Sequence, residues 1–185
     1  MDSDHQVAVP STASILGHPI HPMLVPFPIA FFIGALATDV AAWLSGDPFW
    51  ARVSFWLIAG GVGMGVLAAL AGLTDFLTIK RVRALNAARF HFLGNATVMV
   101  LSIISLTLRW GDPVAGLWPW GLVLSAAVTA LLGVTGWLGG ELVYKHGIGM
   151  QAGSRRSGHA DDALAANSSA AERPDLYRKS GGRAG

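Results

Sequence analysis

Four histidines and two carboxylates are the side chains of this sequence best suited to bind a metal ion or to transfer protons. They are His18, His21, His91 and His146, with Asp75 and Glu141. Imidazole nitrogens bind haem iron, copper, zinc and non-haem iron, and imidazole also exchanges protons near neutral pH. Because these residues are far apart in the sequence, a site forms only if the fold brings them to one place.

The first two histidines stand in a proline-rich stretch from Gly17 to Pro28. A residue that precedes proline is disfavoured in the helical conformation, so we expect an extended stretch and a first regular helix that begins near Pro28. In a polyproline conformation, residues three apart lie about 9 Å apart along the axis. His18 and His21 then bind one ion only if a turn folds between them. His21 and His91, from different helices, are the better opposed pair.

The composition indicates a membrane protein with one domain. Hydrophobic residues make up 52% of the 185 residues and charged residues 13%, whereas a soluble domain carries about 25% charged residues. There is no cysteine, which excludes disulfides, thiolate metal sites and c-type haem attachment. The basic residues are not interleaved with aromatic residues, so the expected partner is the lipid bilayer and not nucleic acid.

Four apolar segments are long enough to cross the roughly 30 Å of bilayer hydrocarbon as helices. They cover about residues 23–45, 53–79, 90–109 and 119–144. We therefore predict an all-α fold, an integral membrane four-helix bundle made of two helical hairpins, in residues 17–149. Residues 1–16 are expected to form a flexible N-terminus, and the polar, basic residues 150–185 a disordered C-terminal tail.

Two stripes at helical spacing should face protein rather than lipid. In the second span, Gly61, Gly65 and Ala69 recur every fourth residue, and small residues at this spacing let helices approach closely. In the third span the stripe is polar and consists of His91, Asn95, Ser102 and Ser105. Polar side chains at one helical face indicate a face that is buried in the bundle.

Lysine and arginine are unevenly distributed among the loops, which predicts the orientation. The loop between the second and third spans holds four, the C-terminal region holds seven counting Lys145, and the other loops have only Arg52 and Arg109 nearby. We therefore expect a multi-pass membrane protein with the middle loop and both termini cytoplasmic. Six tryptophans then lie near the outer interface: Trp43, Trp50, Trp56, Trp110, Trp118 and Trp120.

In that orientation all four spans present polar side chains to the cytoplasmic face. The expected cluster consists of His18, His21, Asp75, His91, Asn95, Glu141, Tyr144 and His146. The four histidines are the candidate ligands of a cofactor or metal ion, and the other four residues are the candidate partners that orient them. Asp39 lies outside this cluster, near the outer end of the first span, and its role stays open.

These residues also have a purely structural interpretation. Histidines at a membrane interface, such as His18 and His146, can cap helices or contact lipid headgroups. His91 can form a structural hydrogen bond within its polar stripe. Asp75 can accept hydrogen bonds from a neighbouring helix or pair with a loop arginine, and Glu141 lies close enough to the interface to reach water.

A weak internal repeat supports two related hairpins. Each hairpin has a Gly-Asp-Pro turn, at Gly46 and Gly111, and a carboxylate near the end of its second helix. Each also has a histidine before the body of its first helix. The bundle is therefore expected to consist of two similar halves.

Motifs in all four spans are, taken together, typical of one known family. They are His18-Pro19-x-His21-Pro22 with Phe27-Pro28-Ile29, Gly72-x-x-Asp75, His91-x-x-x-Asn95 and Gly139-Gly140-Glu141-Leu142-Val143-Tyr144-x-His146-Gly147. This combination resembles a bacterial family of predicted membrane proteins, domain-of-unknown-function family 2231, over about Leu16 to Gly149. The resemblance implies a four-span bundle and implies no activity.

Three functions are compatible with the cluster. The one we favour is a redox protein that holds haem b or a transition-metal ion between His21 and His91 and exchanges electrons with a redox partner. His18 or His146 is then a second option for a ligand. The alternative is a membrane scaffold or partner-binding module, with or without homo-oligomers, whose histidines are structural. A proton or ion transporter is the third. The sequence names no substrate or reaction, so enzyme activity is left open.

Overall fold

The computed structural model describes residues 9–150, so the predicted tail after Met150 lies outside the described residues. Short strands β1 (Ser14–Ile15) and β2 (His18–Pro19) form an antiparallel pair. The helices are α1 (Ile20–Leu24), α2 (Pro26–Ser45), α3 (Pro48–Thr78), α4 (Lys80–Ala84), α5 (Asn86–Leu108) and α6 (Leu122–Tyr144), the last preceded by a π-helical turn, Leu117–Gly121.

Four segments of this structure are long and apolar enough to cross a membrane. They are Ile20–Ser45, Pro48–Thr78, Asn86–Leu108 and Leu117–Tyr144. The predicted all-α bundle with four spans is therefore confirmed. The second span begins at Pro48 rather than near residue 53, because Asp47 accepts a hydrogen bond from the Phe49 amide at 2.8 Å and so caps α3.

The first span is almost continuously helical, and the expectation that it starts with an extended stretch was wrong. α1 already begins at Ile20, and Val25, between α1 and α2, has helical angles of φ −54° and ψ −37°. Pro22 and Pro26 lie in the first turns of α1 and α2, where a backbone N–H has no partner within the helix. His21 therefore lies in a helical turn.

The spanning helices surround a common core. Each hairpin packs on itself, α2 on α3 and α5 on α6, and the hairpins meet where α2 packs on α6 and α3 on α5. The order around the bundle is thus α2, α3, α5, α6, with α2 and α5 diagonally opposed. Phe32, Val98, Val128 and Leu132 fill the centre.

The buried positions of the two hairpins match one another. In α2 they include Pro28, Phe32, Ala35 and Asp39, and in α5 and at its end Val98, Ser102, Ser105 and Arg109. Each residue of the first set precedes its counterpart by 70 positions (102 − 32). In the second helices Ser54, Ile58, Gly61, Gly65 and Ala68 match Gly121, Ser125, Val128, Leu132 and Thr135 at a shift of 67 (125 − 58). The hairpins are therefore two similar halves related by a pseudo-two-fold axis.

Small residues in α3 allow the neighbouring helices to approach closely. A Cβ atom at Gly61 would lie 2.6 Å from Cε1 of Phe32, and one at Gly65 would lie 2.6 Å from Sδ of Met99. The predicted stripe is confirmed at these two glycines. The assignment of Ala69 to the stripe was wrong, because Ala69 is exposed and its neighbour Ala68 is buried instead.

Replacement of Gly61 by leucine tests this packing. Gly61→Leu should lower the free energy of unfolding by about 1–3 kcal/mol, because the new side chain collides with the buried ring of Phe32. Gly63→Leu is the matched control, since a Cβ at Gly63 meets nothing within 4 Å. The measurement is detergent-induced unfolding of both variants, and equal stability of the two would contradict the packing.

Candidate functional site

Two histidines meet at one end of the bundle, which we call the histidine end. The ring centres of His21 and His91 are 6.2 Å apart, and the ring planes are nearly perpendicular at 85°. His21 belongs to α1 and His91 to α5, so the two rings come from opposite halves. They are separated by the same 70 positions (91 − 21) that relate α2 to α5, and they therefore occupy equivalent places beside the pseudo-two-fold axis.

Each ring is held by the second helix of its own hairpin. Nδ1 of His21 lies 2.8 Å from the carbonyl oxygen of Ala68, and Nδ1 of His91 lies 2.9 Å from that of Thr135. Both rings lie against a glycine one turn further along, Gly72 for His21 and Gly139 for His91, where a Cβ would come within 2.8 Å and 3.0 Å of the ring. The two halves thus hold their histidines in the same way.

These hydrogen bonds determine which nitrogen of each ring carries the proton. A carbonyl oxygen only accepts, so Nδ1 carries the proton and Nε2 of a neutral ring keeps its lone pair. Nε2 of His91 lies 3.3 Å from Nδ2 of Asn95, whose amide also donates to the His91 carbonyl at 2.8 Å. Nε2 of His21 has no hydrogen-bond partner within residues 9–150. Both Nε2 atoms therefore have the electronic form of a ligand.

The larger histidine and carboxylate cluster predicted from the sequence was wrong. His18 is exposed and its Nδ1 meets the carbonyl of Leu16 at 3.1 Å. Glu141 accepts a hydrogen bond from Lys145 at 2.8 Å on the surface, close to His146, and Tyr144 is 85% exposed. Across residues 9–150, no group of three or more histidines and carboxylates is arranged to hold a metal ion.

Asp75 binds the N-terminal segment instead of either histidine ring. Its two oxygens accept hydrogen bonds from Oγ of Ser11 at 2.6 Å and from the amides of Thr12 and Ala13 at 2.8 and 2.9 Å. Backbone carbonyls take the ring-orienting role that the sequence suggested for the carboxylates. Asp75 is thus the anchor of the segment that crosses this end of the bundle.

We call residues 9–19 the N-terminal strap. Its first residue, Val9, exchanges backbone hydrogen bonds with Gly147 and Gly149, just after α6, at 3.1 and 2.8 Å. With Asp75 at the end of α3, the strap connects the second helices of the two hairpins. Residues 9–16 belong to the stretch expected to be a flexible N-terminus, and here they are hydrogen-bonded to the bundle.

A second polar centre lies towards the opposite end, where the tryptophan-bearing loops connect the helices of each hairpin. Arg109 donates to both oxygens of Asp39, at 2.6 and 2.8 Å, and also to Oγ of Ser54 at 3.0 Å and of Ser125 at 3.2 Å. Arg109 and Asp39 are both 0% exposed. One residue comes from each spanning helix or its end, so this centre joins all four.

Glycine makes the room for the arginine. A Cβ at Gly121 would lie 2.8 Å from Nη2 of Arg109, so any larger residue in the turn before α6 would displace the guanidinium. A bidentate arginine–carboxylate pair combines charge with fixed geometry, and pairing is what allows both charges to be buried. Ionisable groups within a membrane span are costly and mark a functional or organising position.

Sequence reasoning missed this centre. In the sequence, Arg109 has the position of a loop charge, and no pattern assigns a role to Asp39. The available signal was spacing, because Asp39 and Arg109 are separated by the same 70 positions (109 − 39) as His21 and His91. The predicted burial of the stripe in the third span is confirmed, since Ser102 and Ser105 are each 1% exposed.

Removal of one charge should destabilise the bundle strongly. Asp39→Leu leaves Arg109 buried without a counter-charge and should lower the free energy of unfolding by about 3–5 kcal/mol. The double variant Asp39→Leu/Arg109→Met should lose less, because no unpaired charge remains. Glu141→Gln, which breaks only the exposed pair with Lys145, is the control and should unfold like the parent. An Asp39→Leu protein as stable as the control would contradict the assigned role.

Comparison with known proteins identifies the family of this chain. No curated protein and no solved structure showed a significant match to the chain. The model of a family described as predicted membrane protein, DUF2231, matches residues 17–152. That range includes all four spans, both histidines of the pair and the Asp39–Arg109 centre. The chain therefore belongs to the DUF2231 family of predicted membrane proteins.

Proposed function

We propose that this membrane protein binds haem b through His21 and His91 and acts in electron transfer. The observation that carries the proposal is the pair of imidazoles from opposite halves of the bundle, each with Nδ1 held by a backbone carbonyl. A hydrogen bond from the second ring nitrogen to such a carbonyl sets the tautomer and the orientation of a histidine that binds a metal. The chain thus prepares two Nε2 atoms in the ligand form at one place.

The separation of the rings suits a shared ion. Two imidazoles that bind one ion through nitrogens about 2 Å from it have ring centres about 5–6 Å apart, the larger value for ligands on opposite sides of the ion, and the rings of His21 and His91 are 6.2 Å apart. A bound ion would take the place of the 3.3 Å contact between Nε2 of His91 and Nδ2 of Asn95. Asn95 would then keep its hydrogen bond to the His91 carbonyl.

The number of ligands favours haem over a bare ion. A protein usually holds zinc with three or four of its own side chains, and the described residues bring only two histidines together here. Haem iron takes four ligands from its porphyrin and needs at most two from the protein. A transition-metal ion held by the same two histidines is the other form of the proposal, and it would need ligands from outside the chain.

The chemistry of a bound haem b is one-electron redox chemistry. The role of this chain is to position and shield the group. Ala68 and Thr135 hold the two rings, and the N-terminal strap joins the ends of α3 and α6 at the same end of the bundle. Electron transfer also requires a surface of the protein to which a redox partner binds.

The proposal is tested on full-length protein purified in detergent from cells supplied with a haem precursor. We expect a Soret band, or one equivalent of a transition metal, that is lost in both His21→Ala and His91→Ala. The matched controls are His18→Ala and His146→Ala, which should keep the signal because neither residue joins the pair. A colourless, metal-free protein whose His91→Ala variant is only less stable would overturn the proposal. It would favour the scaffold function, with the exposed basic helix α4 as a docking surface.

We propose further that the histidine end faces the cytoplasm of a bacterial cell, with both termini on that side of the inner membrane. Support comes from the excess of lysine and arginine in and around α4. Single cysteines at Asp47 and Asp112 should react with a membrane-impermeant maleimide added to intact cells, and one at Arg83 should react only after lysis. Labelling of Arg83→Cys in intact cells would reverse the orientation.

A further inference from the structure

A small cavity lies at the centre of the bundle, on the pseudo-two-fold axis. The space open to the centre of a water molecule is about 10 Å³. Its walls are formed by Phe32, Ala35, Ile58, Ser102, Ser105, Ser125 and Val128. The polar part of the wall is three serine hydroxyls, all within the buried interior.

The hydroxyl of Ser105 lacks a partner. Its Oγ is buried and makes no hydrogen bond to any residue in the described range 9–150. A buried hydroxyl without a partner destabilises the folded state, because it has lost its hydrogen bonds to bulk water and gained none in the protein. Since Ser105 lines the cavity, a molecule that occupies the cavity can supply the missing partner.

The other two hydroxyls have the capacity to bind the same molecule. Oγ of Ser102 donates its proton to the carbonyl of Val98 at 2.8 Å and keeps lone pairs that can accept. Oγ of Ser125 accepts from Arg109 at 3.2 Å and keeps a proton that can be donated. The cavity therefore offers at least one donor, one acceptor and the rotatable hydroxyl of Ser105.

The internal repeat shows that the polarity is confined to one half. The positions equivalent to Ser102, Ser105 and Ser125 in the first hairpin are Phe32, Ala35 and Ile58, and all six line the cavity. The wall is therefore apolar on one side and hydroxylic on the other. Three hydroxyl-bearing residues thus line the cavity from the second hairpin, and the equivalent residues of the first hairpin are apolar.

We propose that this cavity is a binding site for one water molecule, held by Ser102, Ser105 and Ser125. A cavity needs roughly 10–15 Å³ for one water, which also requires two to four polar partners. The volume excludes larger ligands. The lining carries no ionised side chain, and the nearby Asp39 and Arg109 neutralise each other, so a neutral ligand is favoured over an ion.

The bound water extends the polar network of the buried ion pair. Arg109 donates to Ser125, Ser125 donates to the water, and the water satisfies Ser105 one helical turn before Arg109. The inference is independent of haem binding, because it concerns the middle of the bundle and needs neither histidine.

A structure of the full chain in lipid nanodiscs, at a resolution that shows ordered water, tests the site directly. We expect density for one water within about 2.7–3.2 Å of Oγ of Ser105. A cavity without density at this resolution would overturn the proposal.

A stability measurement gives a second, independent readout. Ser105→Ala cannot overpack the cavity, and alanine has the higher helix propensity. If the cavity is dry, the variant loses an unpaired hydroxyl and its Tm rises. If the water is bound, the variant removes one of its ligands, and we expect Tm to fall by about 2–4 °C. A rise in Tm would overturn the proposal.

Discussion

The bidentate ion pair between Asp39 and Arg109 is the constraint on which the arrangement of the bundle depends. Neither charge can be buried alone among apolar helices, so α2 and the end of α5 must meet across the diagonal of the bundle. Ser54 and Ser125 add hydrogen bonds from α3 and α6. This one interaction thus sets the register of all four spans. Contacts between apolar side chains alone would specify that register poorly.

The same register places the histidines. Asp39 and Arg109, like His21 and His91, are separated by the shift that relates the two halves, so a single alignment of the first span, α1 with α2, against α5 brings both pairs to the pseudo-two-fold axis. Opposite charges at one end neutralise each other there. Two imidazoles meet at the other end, and each is held through Nδ1 by a backbone carbonyl of its own hairpin. Between the ion pair and the histidine pair, a small cavity lies on the same axis, and only the second hairpin lines it with serines.

Local patterns predicted the spans, the glycine contacts and the opposition of His21 and His91, because hydropathy and helical spacing depend on neighbours in the sequence. The early start of the first helix was missed because prolines are tolerated in a first turn. The broad cluster failed for a different reason. Proximity to one membrane face says nothing about the direction of a side chain, and Glu141 and His18 point to the surface while Asp75 holds the strap.

The sequence by itself therefore determined that this is a four-span membrane protein with two similar hairpins and a polar stripe in the third helix. Beyond the pair of His21 and His91, only the tertiary structure decided which polar groups meet. Arg109 reads as a loop charge in the sequence and is 0% exposed in the bundle. Its partner comes from a diagonally opposed helix, and lateral contacts between helices depend on rotation and register, which a one-dimensional pattern of apolar residues does not contain.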